Sequence, residues 1–306
     1  MHPMRRRPSD DALRWVERRM GRGARVVSWR RLTGGITSSV HRLRVQSSNA
    51  AQSVVLRRWL TTDEEQARWA RDDVAREAEV LRALEKVDLA TPRLIAVSRG
   101  DEPDGAGTPA LLMTCLPGQI FLAPADPDRW LGQMAAALAR IHQAAIDAAR
   151  WNRWGDPSSL RVPEWSAHPR AWKAAIAIAN EPPPEPTARF IHRDYQHYNM
   201  LWSRQRLTGI VDWPNACVGP PEIDVGHCRL NLAVLFSADW AERFLQAYEA
   251  EAGRSVDPAW DVQAFLAYGP AWKRFIPIQV AGRVPVDINH MDERIDDLVA
   301  RTARRL

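Results

Sequence analysis

The spacing of apolar residues changes character along the chain. Before residue 117, short apolar runs predict strands at residues 25–32, 40–45 and 53–59, preceded by an amphipathic helix at residues 9–20. Two further runs, "TPRLIAV" and "TPALLMTCLPG", predict two more strands. Beyond them, segments such as "WLGQMAAALARIHQAAIDAAR" show the period of amphipathic helices. A strand-rich part is therefore predicted to precede a helix-rich part.

One long helix interrupts the strand-rich part. Residues 63–87 have helical periodicity, with an apolar stripe from Val74 to Leu81. Thr62 and Glu65 have the spacing of a capping box, which predicts the start of this helix. Glu77 falls on the apolar stripe, and a carboxylate on a buried face needs a cationic partner.

The length and the element pattern together predict two lobes. A chain of 306 residues with 45% hydrophobic content can bury a sizeable core and is long enough for more than one domain. We expect an α+β fold with an N-terminal lobe at residues 1–117, built from an antiparallel sheet and one long helix. A mostly helical C-terminal lobe at residues 118–306 would follow.

Composition limits the possible partners. The net charge of +5 is spread along the chain among interleaved acids, which favours solubility over a nucleic-acid surface. No run reaches the roughly 18 apolar residues of a membrane span. The three cysteines, Cys115, Cys217 and Cys228, have no CxxC spacing and are too few for a disulfide framework. We therefore expect a cytoplasmic protein that binds neither membrane nor nucleic acid; the sequence does not indicate its oligomeric state.

The stretch "RFIHRDYQHYNMLWSRQRLTGIVDW" combines a polar loop with a hairpin. This arrangement is expected to bring Asp194, Asn199 and Asp212 together. Phosphoryl transfer from ATP needs a carboxylate to orient or deprotonate the attacking hydroxyl, and oxygen ligands to hold Mg²⁺ against the phosphates. Asp194 is the candidate catalytic base, and Asn199 and Asp212 are the candidate metal ligands.

The same stretch resembles the aminoglycoside phosphotransferase-like family, a branch of the protein-kinase-like fold. The resemblance rests on His192 and Asp194 in the loop, Asn199 five residues later, and Asp212 followed by tryptophan. It implies a two-lobed small-molecule O-phosphotransferase that uses ATP and Mg²⁺. It also implies supporting roles for His192 and for Asp224, which would brace the catalytic loop.

One departure from the family pattern lies inside the loop. The family usually has small residues or proline between the aspartate and the asparagine, where this chain has His197 and Tyr198. The effect of these two bulky residues on acceptor geometry is left open.

The resemblance implies further contacts with the nucleotide. The loop "TGGITSS" offers Gly34, Gly35 and Ser38 to cover the phosphates, since glycine lets backbone N–H groups approach closely. The segment ending in "LPG" resembles the hinge between lobes, where backbone groups near Thr114 and Leu116 would pair with the adenine edge. A preference for ATP over GTP does not follow from these residues.

The strand "VVLRRW" stands where the family usually has a lysine. If Val55 faces the adenine, strand alternation puts Arg57 on the same face and Arg58 on the opposite one. Arg57 is therefore the candidate phosphate contact, and Glu77 is its candidate partner. Arginine keeps the lysine charge but presents a planar fork of donors.

Two other functions remain open from the residues alone. The chain could be a kinase-like nucleotide-binding protein without transfer activity, because the strand lysine is replaced. It could also be a metal hydrolase that uses His192, His197, His227 and Asp194, although two histidines five apart in a loop do not match a helical zinc pair. The acceptor of a transferase, whether aminoglycoside, macrolide or hydroxylated metabolite, is not specified.

Overall fold

A computed structural model describes residues 7–32, 38–48, 50–153, 156–181, 187–265, 268–280, 287 and 289–306. The chain divides into two compact units. The first comprises Met1–Pro117 and Gly209–Pro214, and the second comprises Gly118–Thr208 and Asn215–Leu306. The short segment Gly209–Pro214 was not expected in the first unit, and it carries Asp212.

The first unit contains a five-stranded antiparallel sheet with the strand order β1-β2-β3-β5-β4. Its elements are α1 (Asp10–Met20), β1 (Arg25–Leu32), β2 (Ser39–Gln46), β3 (Ala51–Arg58), α2 (Glu64–Leu84), β4 (Leu94–Ser98) and β5 (Ala110–Thr114).

One face of this sheet closes an apolar core against α1. Trp15 and Val16 of the helix are fully buried there, together with Leu43, Val54 and Leu56 of the strands. Alternation along β3 points the intervening residues to the other face of the sheet. The sheet is thus apolar on the α1 side, and its other face is available for polar residues.

Helix α2 begins one residue later than the capping-box spacing predicted. Its N-cap is Asp63, whose carboxylate accepts a hydrogen bond from the backbone N–H of Gln66 at 2.9 Å. Thr62 instead bonds through its hydroxyl to the side chains of Asp63 and Gln66. Aspartate is at least as good an N-cap as threonine and adds a charge that favours the positive end of the helix dipole.

The second unit is mostly helical. Its elements are α3 (Pro127–Gln143), α4 (Pro169–Asn180), β6 (Arg189–Ile191), β7 (Met200–Ser203), β8 (Arg206–Ile210), β9 (Cys217–Gly219), α5 (Glu222–Leu235), α6 (Ala238–Ala252), α7 (Pro258–Phe265), α8 (Pro270–Val280) and α9 (Met291–Ala303). Strand β6 pairs antiparallel with β9, and β7 and β8 form a hairpin whose last two residues lie in the Gly209–Pro214 segment.

Helix α5 lies at the centre of the second unit, packed against α6, α7 and α9. Nearly all of its residues are buried, which explains why its sequence shows no single apolar stripe. The predicted α+β class, with a sheet unit and a helical unit, is confirmed. None of the helices in the described part of the chain has the length and apolar character needed to cross a membrane.

Candidate active site

The predicted catalytic loop follows strand β6 and has an unusual backbone. Arg193 adopts a left-handed conformation with φ of 66°, which is costly for a residue other than glycine. The carboxylate of Asp224 stabilises this bend by accepting hydrogen bonds from the backbone N–H groups of His192 at 2.7 Å and Arg193 at 2.6 Å. These are the contacts that a bracing residue would make, and the supporting role of Asp224 in catalysis stays a prediction.

Asp224 is itself held from another helix. The Nε2 atom of His142 on α3 lies 3.2 Å from its carboxylate, and Nδ1 of the same ring lies 2.7 Å from the hydroxyl of Tyr248. His142 is thus buried with both ring nitrogens in hydrogen bonds. The loop is anchored to α5 through Asp224, and α5 is tied to α3 and α6 through His142 and Tyr248.

The side chain of Asp194 is surrounded by hydrogen-bond donors. Oδ1 accepts from Nε2 of Gln196 at 2.6 Å and lies 2.9 Å from Nε2 of His227, while Oδ2 accepts from Nδ2 of Asn199 at 3.0 Å. Burial opposes ionisation, but the hydrogen bond and charge of His227, with help from His192 and Asn199, lower the pKa of Asp194 below its ordinary value. The carboxylate is therefore ionised at neutral pH.

Asn199 is fixed by its amide nitrogen. Its Nδ2 group donates to the carboxylate of Asp194 and, at 2.9 Å, to the backbone carbonyl of Asp194. Both hydrogen bonds are donated by the amide nitrogen. The amide oxygen, Oδ1, makes no hydrogen bond within the described residues. A neutral oxygen in this position is a suitable magnesium ligand.

The two bulky residues of the loop, His197 and Tyr198, are both buried. His197 is fully buried between the rings of Trp130, Tyr198 and Phe236, with ring centroids 4.3 to 6.2 Å apart. Burial lowers the pKa of His197 to about 3, so the imidazole is neutral. The side chain of His197 therefore packs as a neutral ring among aromatic side chains.

The first unit contains a second polar cluster, centred on Arg57. Its Nη1 lies 2.9 Å from Oε2 of Glu77 and 2.7 Å from Oδ1 of Asp212, and its Nε donates to the hydroxyl of Ser38 at 2.9 Å. The guanidinium also stacks over the ring of Trp59 at 4.6 Å. The expected Arg57–Glu77 pair is thus present, and Asp212 joins it as a third charged member.

The charges in this cluster influence one another. Burial opposes the charge of Arg57, but Asp212 and Glu77 hold its pKa above the ordinary value. Burial also raises the pKa of Glu77 to about 7, against the opposing effect of Arg57. Two carboxylates thus share one guanidinium.

The strand register agrees with the alternation expected for β3. Val55 pairs with Arg42 and Met113, and Arg57 pairs with Val40 and Leu111. Arg58 points to the opposite face, beside the α1 core, and is buried. It is therefore not the solvated arginine that a strand end would ordinarily carry.

The structure tests only some of the other residues that were predicted to contact the nucleotide. Gly34 and Gly35 lie outside the described residues. The backbone N–H of Thr114 is already bonded to the carbonyl of Arg93 at 2.9 Å, so this group is not available to adenine. The N–H of Leu116 makes no hydrogen bond within the described residues, which leaves it the better candidate of the two.

Two residues beside Asp194 were not identified as site residues from the sequence. Gln196 lies only two positions from the aspartate, and its signal was its place inside the loop. His227 had been weighed only as a zinc ligand; its signal was the three-residue spacing from Asp224, which puts both on one face of α5. Among the described residues, no group of three or more histidine, cysteine or acidic side chains is placed to hold a metal.

Comparison with known proteins identifies the family. The sequence matches the model of the phosphotransferase enzyme family over residues 28–266, which is most of the chain. The protein belongs to this family. A search of curated proteins finds no significant match.

Solved structures share the fold at low sequence identity. A protein from Ralstonia eutropha JMP134, classed provisionally as an aminoglycoside phosphotransferase, superimposes with a TM-score of 0.61 at 15% identity, covering 98% of this chain and 99% of its own. Macrolide 2'-phosphotransferase MphH from Brachybacterium faecium superimposes with a TM-score of 0.57 at 18% identity, covering 90% of this chain and 99% of its own. A thermostable mutant of aminoglycoside phosphotransferase APH(4)-Ia, in complex with ADP and hygromycin B, superimposes with a TM-score of 0.57 at 15% identity, covering 92% of this chain and 94% of its own. These matches confirm the kinase-like fold.

Proposed function

We propose that this protein transfers the γ-phosphate of ATP to a hydroxyl group of a small molecule, with Asp194 as the catalytic base. The observation that carries the proposal is the carboxylate of Asp194, which is a quarter exposed although three side chains donate hydrogen bonds to it. An ionised and accessible carboxylate can accept or orient the proton of an attacking hydroxyl. The loop backbone holds the carboxylate through Asp224, so its position does not depend on the acceptor.

We assign magnesium binding to Asn199 and Asp212. Both supply oxygen atoms, which Mg²⁺ prefers, and the amide of Asn199 is already oriented with Oδ1 away from its hydrogen bonds. When bound, magnesium would neutralise charge on the β- and γ-phosphates. Arg57 would contact the phosphates, Glu77 would orient Arg57, and Ser38, Gly34, Gly35, Val55 and the backbone near Leu116 would complete nucleotide binding.

The proposal also concerns the chemical class of the molecule that accepts the phosphate. The structural relatives include aminoglycoside phosphotransferases bound to gentamicin, streptomycin and hygromycin B, and a macrolide phosphotransferase. By family membership we propose an antibiotic of the aminoglycoside or macrolide type, or a hydroxylated metabolite, as the acceptor. Use of ATP points to the cytoplasm as the place of reaction.

A second function is favoured by one observation. Asp212 is paired with Arg57 at 2.7 Å, so a metal ion would have to compete with a guanidinium for this ligand. A protein in which Arg57 kept Asp212 would bind a nucleotide without transferring phosphate. This is the inactive alternative, and it predicts nucleotide binding without turnover.

A direct assay separates the two functions. Purified protein would be incubated with Mg²⁺, γ-labelled ATP and separate aminoglycosides, macrolides, nucleosides and sugars, and both ADP and labelled acceptor would be measured. Transfer to at least one acceptor, abolished in Asp194→Asn, supports the enzyme. The inactive alternative is supported if the protein binds ATP but labels no acceptor and hydrolyses ATP to ADP no faster than the Asp194→Asn control.

A further inference from the structure

Helix α5 contacts the catalytic loop at two points. Asp224 binds the loop backbone at His192 and Arg193, and His227 binds the side chain of Asp194. The two residues are three positions apart, so they lie on the same face of the helix. One rigid helix therefore fixes both the backbone that leads into Asp194 and the orientation of its carboxylate.

The chemistry of the contact identifies the donor. An ionised carboxylate only accepts hydrogen bonds, so Nε2 of His227, 2.9 Å from Oδ1, must carry the proton. Oδ1 also accepts from Gln196 at 2.6 Å. A carboxylate oxygen has two lone pairs, and both on Oδ1 are thus in use. Within the described residues, Oδ2 accepts a hydrogen bond from Asn199 alone, which leaves one of its lone pairs free.

We infer that His227 is a positioning residue for phosphoryl transfer, which fills Oδ1 of Asp194 and leaves Oδ2 as the oxygen that receives the acceptor hydroxyl. This inference rests on the proposed function. It separates the two oxygens of the base into one that is held and one that reacts. Loss of the His227 donor would let the carboxylate rotate and would offer the hydroxyl a second, wrongly directed oxygen.

The environment of His227 differs from that of a histidine with a structural role only. His142 is 6% exposed and both of its ring nitrogens are in hydrogen bonds. His227 is 19% exposed, and its Nδ1 has no hydrogen-bond partner among the described residues. Its ring lies beside Trp272 of α8, with centroids 6.0 Å apart. The single polar contact that the His227 side chain makes in the described structure is therefore the one to Asp194.

Three substitutions test the inference through turnover. His227→Leu removes the donor, His227→Gln keeps an N–H at a similar reach, and His168→Leu removes an exposed histidine as the matched control. We expect His227→Leu to lower kcat by about 10- to 100-fold, because misplacement of a reacting group by about an ångström has effects of this size. The KM for ATP should stay within about twofold of the parent, since ground-state binding of the nucleotide is untouched. His227→Gln should retain most of the parental kcat, and His168→Leu all of it.

Parental kcat in His227→Leu, or an equal loss in His227→Gln and His227→Leu, would overturn the inference. The assay measures magnesium-dependent formation of ADP from ATP. The phosphate acceptor is a molecule identified in the acceptor panel or, where none is found, water. Absence of ADP from the parent protein is a different result, because it would overturn the proposed function itself.

A second readout needs no turnover. In ¹⁵N-labelled, nucleotide-free protein, the Nε2 proton of His227 should give a resonance protected from exchange with solvent, assigned by its absence in His227→Gln. Asp194→Ala should abolish that protection, because the acceptor of the hydrogen bond is gone. A resonance equally protected in Asp194→Ala, or a parent protein in which Nε2 carries no proton, would contradict the inference even if the leucine variant failed to fold.

Discussion

The two polar clusters, one around Asp194 and one around Arg57 and Asp212, hold their carboxylates in opposite ways. Asp194, in the helical unit, receives side-chain hydrogen bonds from Gln196, Asn199 and His227. Asp212, in the sheet unit, shares the guanidinium of Arg57 with Glu77. The first carboxylate is prepared by fixed hydrogen bonds, and the second is held by a charge that it must share.

The difference matches the two tasks proposed for them. A base acts best when its geometry is set before the substrate arrives, which fixed donors achieve. A metal ligand must exchange one cation for another. Because Arg57 faces two carboxylates, an incoming Mg²⁺ can take Asp212 while Glu77 keeps the guanidinium in place. We expect this contrast to be visible in how each polar cluster responds to substitution.

The largest effect is expected at the charged cluster. Arg57→Ala leaves the buried carboxylate of Glu77 without its cation, which should cost about 3–5 kcal/mol of unfolding free energy. Glu77→Ala should also destabilise the protein, and the double mutant should lose much less than the sum, with a coupling of about 1–3 kcal/mol. Urea unfolding of the four proteins measures the coupling, and ADP formation should show the same pattern.

Arg58→Ala is the matched control for this cycle. Arg58 lies on the opposite face of β3, so it should not couple to Glu77, although truncation of its buried stem costs some stability. Coupling of Glu77 to Arg58 and not to Arg57 would contradict the pairing described here.

The burial of His197 in the catalytic loop predicts that the stability of the protein depends on pH. The pKa of His197 is about 3 in the folded protein and returns to about 6.5 on unfolding, so the unfolded chain binds the proton more tightly. The contribution of neutral His197 is fully present above pH 6.5. It is lost below pH 6.5, by about 1.4 kcal/mol per pH unit, down to pH 3.

His197→Leu should remove that part of the acid sensitivity while keeping the apolar packing. Unfolding free energies of parent and variant would be compared at pH 7 and at pH 5. An identical loss of stability in both proteins between these two values would show that His197 does not titrate as described.

A smaller effect is expected for the proposed metal ligand. Asp212→Ala should raise the dissociation constant of ATP in the presence of Mg²⁺ by about 10- to 100-fold, because a direct ligand is lost. The affinity for ATP without Mg²⁺ should change much less, and this is the internal control. Calorimetric titration gives both constants, and an unchanged magnesium dependence would remove Asp212 from the metal site.

The smallest effect is expected at the start of α2, the helix that carries Glu77. Asp63→Ala removes the N-cap and should lower the unfolding free energy by about 1 kcal/mol. Turnover should be unchanged, since Glu77 lies more than three helical turns away. Thr62→Ala should cost less than Asp63→Ala, and the reverse order would restore Thr62 as the cap.

The sequence predicted contacts that depend on local spacing. Asn199 follows Asp194 by five residues in one loop, so their contact could be predicted without knowledge of the tertiary packing. The helical stripe showed that Glu77 needs a cation, but its pairing with Arg57, 20 residues away on a strand, was predicted from the family resemblance. Once that resemblance placed Val55 towards the adenine, strand alternation, which is a local rule, favoured Arg57 over Arg58.

Other features depend on packing between distant segments and gave weaker signals. The contact of His227 with Asp194 requires α5 to lie against the catalytic loop, 33 residues away in sequence. The pairing of Asp212 with Arg57 joins residues 155 apart and requires Gly209–Pro214 to join the sheet unit. His197 is a polar residue in the sequence, and only the structure shows that its neutral ring is buried among aromatic side chains.

The most direct test of phosphoryl transfer compares the parent protein with Asp194→Asn in the same magnesium-dependent assay. The substitution is nearly isosteric and removes the group that accepts the hydroxyl proton, so kcat should fall by about 10²- to 10⁴-fold while ATP affinity stays unchanged. Transfer by Asp194→Asn within tenfold of the parent would contradict the assignment of Asp194 as the base.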